Sequence, residues 1–343
     1  MKSIVIHAAT DLRIEERQTG APGRGEVAVA IKRGGICGSD LHYYSHGGFG
    51  VVRLKEPMIL GHEVAGEVVA LGEGVSGLAP GDLVAVSPSR PCGHCSYCQQ
   101  GLQMHCLEML FYGSAMRFPH VQGAFREQLI TRASQCHKLA PGIGAEAGAF
   151  AEPFAVTLHA INRAGPLTGA RVLVTGCGPI GALTIIAARA HGARDIVATD
   201  VTEFTLALAR KIGADRAVNV ATDAGAMDTY RANKGSFDVM IEASGNERAL
   251  RLGLDVLKPR GVLVQLGLGG EIALPQNQVV AKEIDIRGSF RFHDEFALAV
   301  DLINARRVDL SPLLSDVVPL ARAEDGFKLA SDRSRAMKVQ IAF

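Results

Sequence analysis

Four cysteines fall within one short stretch, PCGHCSYCQQGLQMHC, residues 91–106. Cys92, Cys95, Cys98 and Cys106 follow a C-x2-C-x2-C-x7-C spacing, which lets a single loop turn four thiolates toward one point. Four sulfurs complete the tetrahedron of Zn(II) and leave no position for a substrate, so this set reads as structural. Closely spaced thiolates also suit an iron–sulfur cluster. A metal that performs chemistry needs three protein ligands and an open position. Donors for such a site lie elsewhere: GGICGSDLHYY supplies Cys37, Ser39, Asp40 and His42, LGHEVAG supplies His62 and Glu63, and FAEPFAVTLHA supplies Glu152. Singly they decide little. A buried cysteine is commonly a small core residue, and His-Glu without a second histidine three residues on is not the zinc-protease motif.

A second chemistry is written in VLVTGCGPIGALTI, where Gly176, Gly178 and Gly181 form G-x-G-x-x-G, with Pro179 and Ile180 between the last two glycines. An apolar strand pattern precedes it and a helical one follows. In that context the first glycine permits a tight turn, the second lets backbone approach a pyrophosphate, and the third packs helix against strand, with the helix N-terminus facing the anion. Asp200, nineteen residues beyond Gly181, ends the apolar segment DIVATD, where a carboxylate would accept the ribose hydroxyls of a dinucleotide. The following DVTEF offers no Lys or Arg to meet a 2′-phosphate, which favours NAD over NADP.

The elements that must position these groups suggest two domains, as expected for 343 residues. The first half is dense in Gly and Pro with short β-branched runs such as EVAVAIKRGG and EVAGEVVALG, the texture of an irregular β domain. From about residue 170, apolar strands alternate with helical patterns (ARVLVTG, PIGALTIIAARAHGA, DIVATD, EFTLALARKIGA, FDVMIEASG, RGVLVQLGL), as in a parallel sheet covered by helices on both faces. The last fifty residues hold a helix candidate, DEFALAVDLINARRV, and an apolar segment, AMKVQIAF, both suited to rejoining the first domain.

Bulk composition narrows the partners. Apolar residues at 48%, charged residues at 21% and a net charge of +1 describe a folded globular chain without a basic face for nucleic acid, so a small-molecule partner is expected. The opening MKSIVIHAATDLRIEERQTG becomes charged before a signal-peptide core develops, and no apolar window has the length of a membrane span. A cytoplasmic setting is therefore expected. There, seven cysteines, an odd number and mostly clustered, argue for metal or reactive thiols rather than disulfides. Cys136 and Cys177 read as small packing residues.

With Cys37, His62, the four-cysteine loop and the glycine fingerprint in this order, the whole chain resembles the zinc-dependent medium-chain alcohol dehydrogenases. Glu152 in AEP, RGGICGSDLHYY, PMILGHEV, PCGHCSYC, YGSAMRFPHVQGAF and GSFRF narrow the resemblance to the polyol, sorbitol-dehydrogenase-like branch, and within it to members that act on a sugar acid. The resemblance implies a GroES-like β-rich domain over residues 1–155, completed by 293–343, and a Rossmann domain over 156–292. It implies two zinc ions per chain, a nicotinamide cofactor and a homo-oligomer, tetramer or dimer. Cys37, His62 and Glu152 resemble the catalytic zinc ligands, with Glu152 direct or through water, Glu63 as an alternating or outer carboxylate, and Asp40 orienting His62. Ser39 and His42 resemble a proton relay, Arg291 an arginine near the nicotinamide, and Tyr43 an aromatic on the substrate side. A sugar acid carries a carboxylate that a neutral polyol lacks, so Arg117, His120 and Arg291 are candidates to bind it, Arg117 and His120 being the pair without another implied role. Neutral polyols such as sorbitol or xylitol, or threonine, are the alternative substrates, and a cofactor-binding protein without zinc chemistry is the alternative from another class.

Overall fold

The computed structural model describes residues 1–223 and 225–343. The chain divides into two compact units, Met1–Glu152 with Phe296–Asp332 and Lys338–Phe343, and Pro153–Glu295 with Arg333–Met337. Of the tail, Phe296–Asp332 and Lys338–Phe343 belong to the first unit and Arg333–Met337 to the second. Among the described residues no helix is long and apolar enough to cross a membrane.

The first unit is built on a seven-stranded sheet whose path runs Cys136–Lys138, Leu83–Val86, Glu63–Leu71, Glu26–Gly35, Lys338–Ala342, Leu314–Pro319, with Gln128–Arg132 also pairing Glu26–Gly35. The central strand EVAVAIKRGG buries Val27, Ala28, Val29 and Ile31, as its β-branched and alanine content favours. Its end matters most here. Gly35 pairs antiparallel with Glu63 on one side and with Gln340 on the other, so the start of the strand Glu63–Leu71 and the middle of the last strand, Lys338–Ala342, flank the same point. Gly35 is needed there because a methyl group on it would lie 2.2 Å from Glu63 Oε2.

The second unit is a six-stranded, all-parallel sheet. Numbered within it, β1 is Arg171–Thr175, β2 Asp195–Asp200, β3 Arg216–Asn219, β4 Phe237–Glu242, β5 Leu257–Gln265 and β6 Asp285–Gly288. The spatial order is 3-2-1-4-5-6, the doubly wound order of dinucleotide-binding domains. β1 and β2 read as unbroken apolar runs because both faces are covered: Val172 to Thr175 and Ile196 to Thr199 are all buried. Helix α1, Pro179–Ala190, starts immediately after β1 with Pro179 at its first turn, where the missing N–H costs nothing. The expected mixed fold, a β-rich domain plus a doubly wound parallel sheet, is the one observed.

Candidate active site and metal centres

The strand pairing at Gly35 brings the first donor cluster together. Cys37 caps the helix Gly38–His46, and His62 and Glu63 enter the strand that pairs with Gly35. One ligand atom from each of Cys37, His62 and Glu63 lies within 4.8 Å of the others, with His62 and Glu63 buried. Glu152, in the first turn of the helix Ala151–Ala164, is also buried but stands outside that mutual distance.

Electrostatics gives this cluster its character. Burial pushes the Cys37 thiol up to about 12, and the Glu63 charge adds to the shift. Burial likewise pushes the Glu152 carboxyl up to about 8, opposed by His62 and reinforced by Glu63 and Cys37. Several acids thus crowd a dry site, where an ionised group without a partner is very costly. The cation found there is Lys338, itself 4% exposed, whose ammonium is paired with Glu63. His62 Nδ1 is buried without a hydrogen-bond partner. A sulfur, an imidazole and a carboxylate, crowded, buried and short of positive charge, fit a divalent zinc ion.

Asp40 does something other than the expected orientation of His62. Its Oδ1 lies 3.8 Å from His62 Nδ1, beyond a hydrogen bond. Instead Oδ2 accepts from the Cys37 N–H at 3.0 Å and Oδ1 from the Gly61 N–H at 3.1 Å. Asp40 therefore ties the backbone of the two ligand-bearing segments together. Ser39 and His42 lie three residues apart on the helix Gly38–His46, hence on one face, with the His42 ring exposed and 5.8 Å from Phe49. Tyr43 is buried, its hydroxyl accepting from the Ala115 N–H at 3.0 Å.

The two residues considered for a substrate carboxylate part company. Arg117 is exposed and donates one Nη1 hydrogen bond to the Glu108 carbonyl at 2.9 Å. His120 is buried, and both ring nitrogens are engaged by backbone: Nε2 accepts from the Lys55 N–H at 2.8 Å and Nδ1 lies 2.8 Å from the Arg117 carbonyl. No ring nitrogen is left to donate to a substrate, so the geometry assigns His120 to holding its loop.

The four-cysteine loop is the second cluster. Sγ atoms of Cys92, Cys95, Cys98 and Cys106 lie within 4.8 Å of one another, and the Cys92–Cys98 separation is 4.0 Å. That is close to the sulfur–sulfur edge of about 3.8 Å in a tetrahedron of Zn–S bonds. Backbone N–H groups point at the sulfurs: Cys92 donates to Cys106 at 3.1 Å, Cys95 to Cys92 at 3.3 Å and Glu108 to Cys106 at 3.3 Å. N–H groups of Cys98 and Leu107 bring the Cys95 thiol down to about 6. Four converging sulfurs with backbone donors fit a closed zinc site.

In the second unit, Gly176 takes φ 83°, and a methyl group on it would lie 2.7 Å from Ser244 Cβ, so both conformation and space require glycine. Gly178 caps helix α1, and Pro179 and Ile180 open it. Asp200 reaches back to this turn, Oδ2 accepting from the Cys177 N–H at 2.6 Å and Oδ1 from the Val201 and Thr202 N–H groups. These contacts fix the carboxylate at the C-terminal end of β2, suited to ribose hydroxyls. Arg291 follows β6 with φ 56°, its guanidinium 5.0 Å from the Phe290 ring.

Some contributors escape a reading of motifs. Lys338 is the clearest; its one signal is a lysine inside the apolar run AMKVQIAF. Glu242, 1% exposed at the end of β4, accepts from the Ser244 and Gly245 N–H groups and from Gln265 Nε2, so it shapes the loops beside the glycine turn. Glu295 is another. Burial would raise its carboxyl, but hydrogen bonds from His159, the His293 N–H and Asn162 hold it at about 2.

Comparison with known proteins agrees with this geometry. Residues 23–141 match the alcohol dehydrogenase GroES-like domain, and residues 179–305 match the zinc-binding dehydrogenase family. The chain is 45% identical over 343 residues to L-idonate 5-dehydrogenase (NAD(P)(+)) of Escherichia coli K12, covering 100% of this chain and 98% of that protein. It is 33% identical to sorbitol dehydrogenase of Gallus gallus, over 99% of this chain and 95% of that protein. The crystal structure of the E. coli L-idonate 5-dehydrogenase superposes with a TM-score of 0.96 at 42% identity, covering 100% of this chain and 98% of that one.

Proposed function

Since this chain belongs to the zinc-dependent medium-chain alcohol dehydrogenase family, we propose that it interconverts L-idonate and 5-keto-D-gluconate by hydride transfer with a nicotinamide cofactor. The substrate assignment is carried by the end-to-end similarity to an L-idonate 5-dehydrogenase.

Bound zinc would make a coordinated hydroxyl more acidic and a carbonyl more electrophilic, and the nicotinamide would exchange the hydride. Cys37, His62 and Glu63 would hold that zinc, and Glu152, whose carboxyl feels the charges of all three, would enter as a direct or water-linked ligand. A second zinc would sit in the four-cysteine loop, giving two per chain. In the oxidative direction the substrate hydroxyl loses its proton and its carbon loses hydride. Ser39 would accept the proton and His42, exposed and three residues on along the same helix, would release it to water. The glycine turn and the helix α1 N-terminus would receive the pyrophosphate, Asp200 the ribose hydroxyls, and Arg291 the nicotinamide end. An acid at the end of β2 without a neighbouring base favours NAD over NADP. Arg117 would meet the substrate carboxylate.

A neutral polyol substrate is the second reading, favoured by the sorbitol dehydrogenase relatives and by the engagement of His120. Initial rates with NAD and with NADP on L-idonate, D-gluconate, sorbitol, xylitol and L-threonine separate the two. We expect the highest kcat/KM with L-idonate and NAD, and an increase of about tenfold in KM for L-idonate in Arg117→Ala with sorbitol unaffected. A lead for sorbitol or xylitol would keep the zinc chemistry and withdraw the sugar acid.

A further inference from the structure

The glycine fingerprint has one electrostatic deficiency. Its residues Thr175–Ala182 include no Lys or Arg, and the nearest formal charge described so far is the negative carboxylate of Asp200, hydrogen-bonded to the Cys177 N–H at 2.6 Å. A dinucleotide brings two negative charges to this turn. The helix N-terminus offers partial charge and N–H groups, equivalent to roughly half a positive charge. A formal cation is missing from the motif, and the structure supplies one from a distant part of the sequence.

That cation is Arg333. It belongs to the tail segment Arg333–Met337, which leaves the first unit and packs with the dinucleotide-binding unit. Its guanidinium closes over Gly178, the second glycine of the fingerprint and cap of helix α1: a methyl group on Gly178 would lie 2.5 Å from Arg333 Nη1 and 3.8 Å from Cζ. Arg333 is exposed and makes no ion pair or hydrogen bond among the described residues, so its donors are uncommitted. An uncommitted guanidinium beside the glycine where a pyrophosphate approaches can give two parallel N–H bonds to phosphate oxygens, a geometry that Lys cannot reproduce.

We propose that Arg333 is a pyrophosphate-binding residue of this enzyme, clamping the dinucleotide against the glycine turn from the C-terminal segment. The proposal rests on the reading of Gly176–Gly181 as a dinucleotide site but not on the identity of the alcohol substrate. It also gives the excursion of Arg333–Met337 a purpose, since this segment lies between Asp332 and Lys338, both of which belong to the first unit.

The test is direct binding to the zinc-loaded enzyme. NADH is titrated by its fluorescence, and ADP and adenosine by calorimetry, for the wild type, Arg333→Ala and Arg333→Lys. Removing one charge-assisted contact to phosphate should weaken NADH and ADP by about 10-fold in Arg333→Ala, with partial recovery in Arg333→Lys. Adenosine, which has no phosphate, should bind all three proteins alike, and the salt dependence of ADP binding should be shallower in Arg333→Ala. Unchanged ADP affinity, or equal loss for adenosine and ADP, would overturn the assignment while leaving the dinucleotide site in place. Failure of the wild type to bind NADH or ADP at all would remove the dinucleotide reading and this inference with it.

Discussion

The two donor clusters of the first unit use the same thiol chemistry to opposite ends. In the four-cysteine loop the ligands come from residues 92–106 and backbone N–H groups aim at the sulfurs, so Cys95 is held toward the thiolate while burial and the neighbouring thiols push Cys98 up to about 12. At Cys37, His62 and Glu63 the ligands come from separate segments, two of the three are fully buried, and the acids raise one another. The loop splits its thiols, Cys95 down to about 6 and Cys98 up to about 12, whereas the buried cluster takes its single cysteine, Cys37, up to about 12. One site is arranged to close around a metal and hold a fold; the other is under electrostatic tension that a cation relieves and a substrate can share. On the proposed roles, a structural and a catalytic centre differ in the groups around the sulfur: backbone N–H donors at Cys95, buried acids at Cys37.

The largest test of that difference removes one sulfur from each site. Cys37→Ala should lose one zinc per chain and at least about three orders of magnitude in kcat/KM, because the acid that activates the hydroxyl is gone. Its thermal midpoint should move only a few degrees. Cys98→Ser should also lose one zinc, yet lower the midpoint by about 10 °C or more while folded molecules keep most of their activity. Zinc analysis, rates and thermal unfolding on the same preparations decide it. Equal losses of activity and stability in both variants would erase the distinction.

A second test reads the sulfurs chemically. In zinc-stripped protein at pH 7, Cys95, held at about 6, is mostly thiolate, while Cys37, at about 12, is almost all thiol. Lower pKa also lowers intrinsic nucleophilicity, so the advantage of Cys95 toward iodoacetamide should be about 10²- to 10³-fold rather than the full difference in thiolate population. Its labelling should stay flat from pH 8 to 7 and fall as pH drops through about 6, whereas Cys37 should gain about tenfold per unit of rising pH. Peptide mapping after timed alkylation measures both. Comparable rates at the two cysteines would show that the loop does not hold Cys95 as a thiolate.

These differences were unequally legible in the sequence. The Cys92–Cys106 spacing and the Gly176–Gly181 turn with Asp200 are local, since their geometry is set by a few consecutive residues. The parallel sheet was equally readable, because strands buried on both faces become continuous apolar runs such as RVLVT and DIVATD. Lys338 and Arg333 were not legible. Each acts on a residue far earlier in the chain, Glu63 and Gly178 respectively, through contacts that only the assembled fold creates. His120 shows the opposite limit: residue type suggested a ligand for an anion, but backbone groups of Lys55 and Arg117 occupy both nitrogens, which no spacing rule foretells.

The smallest effect comes from Asp40, and it concerns what keeps scattered ligands in register. Its two oxygens accept from the Cys37 and Gly61 N–H groups, joining the segments that carry Cys37 and His62. In Asp40→Asn one acceptor becomes an NH2 group facing an N–H donor, so one of these bonds is lost in a residue that is 0% exposed. The shape is kept and only the tie is loosened. Zinc affinity at the buried site should fall about 10- to 100-fold, as for other groups that position metal ligands. The loop shares no hydrogen bond with Asp40 and takes its order from its own backbone donors, so its zinc should be retained unchanged. Competition with a graded chelator, resolving two classes of zinc, measures both affinities at once. Parallel weakening of the two classes would mean that Asp40 supports the whole unit rather than one centre, and the buried site would then owe its order to the fold at large.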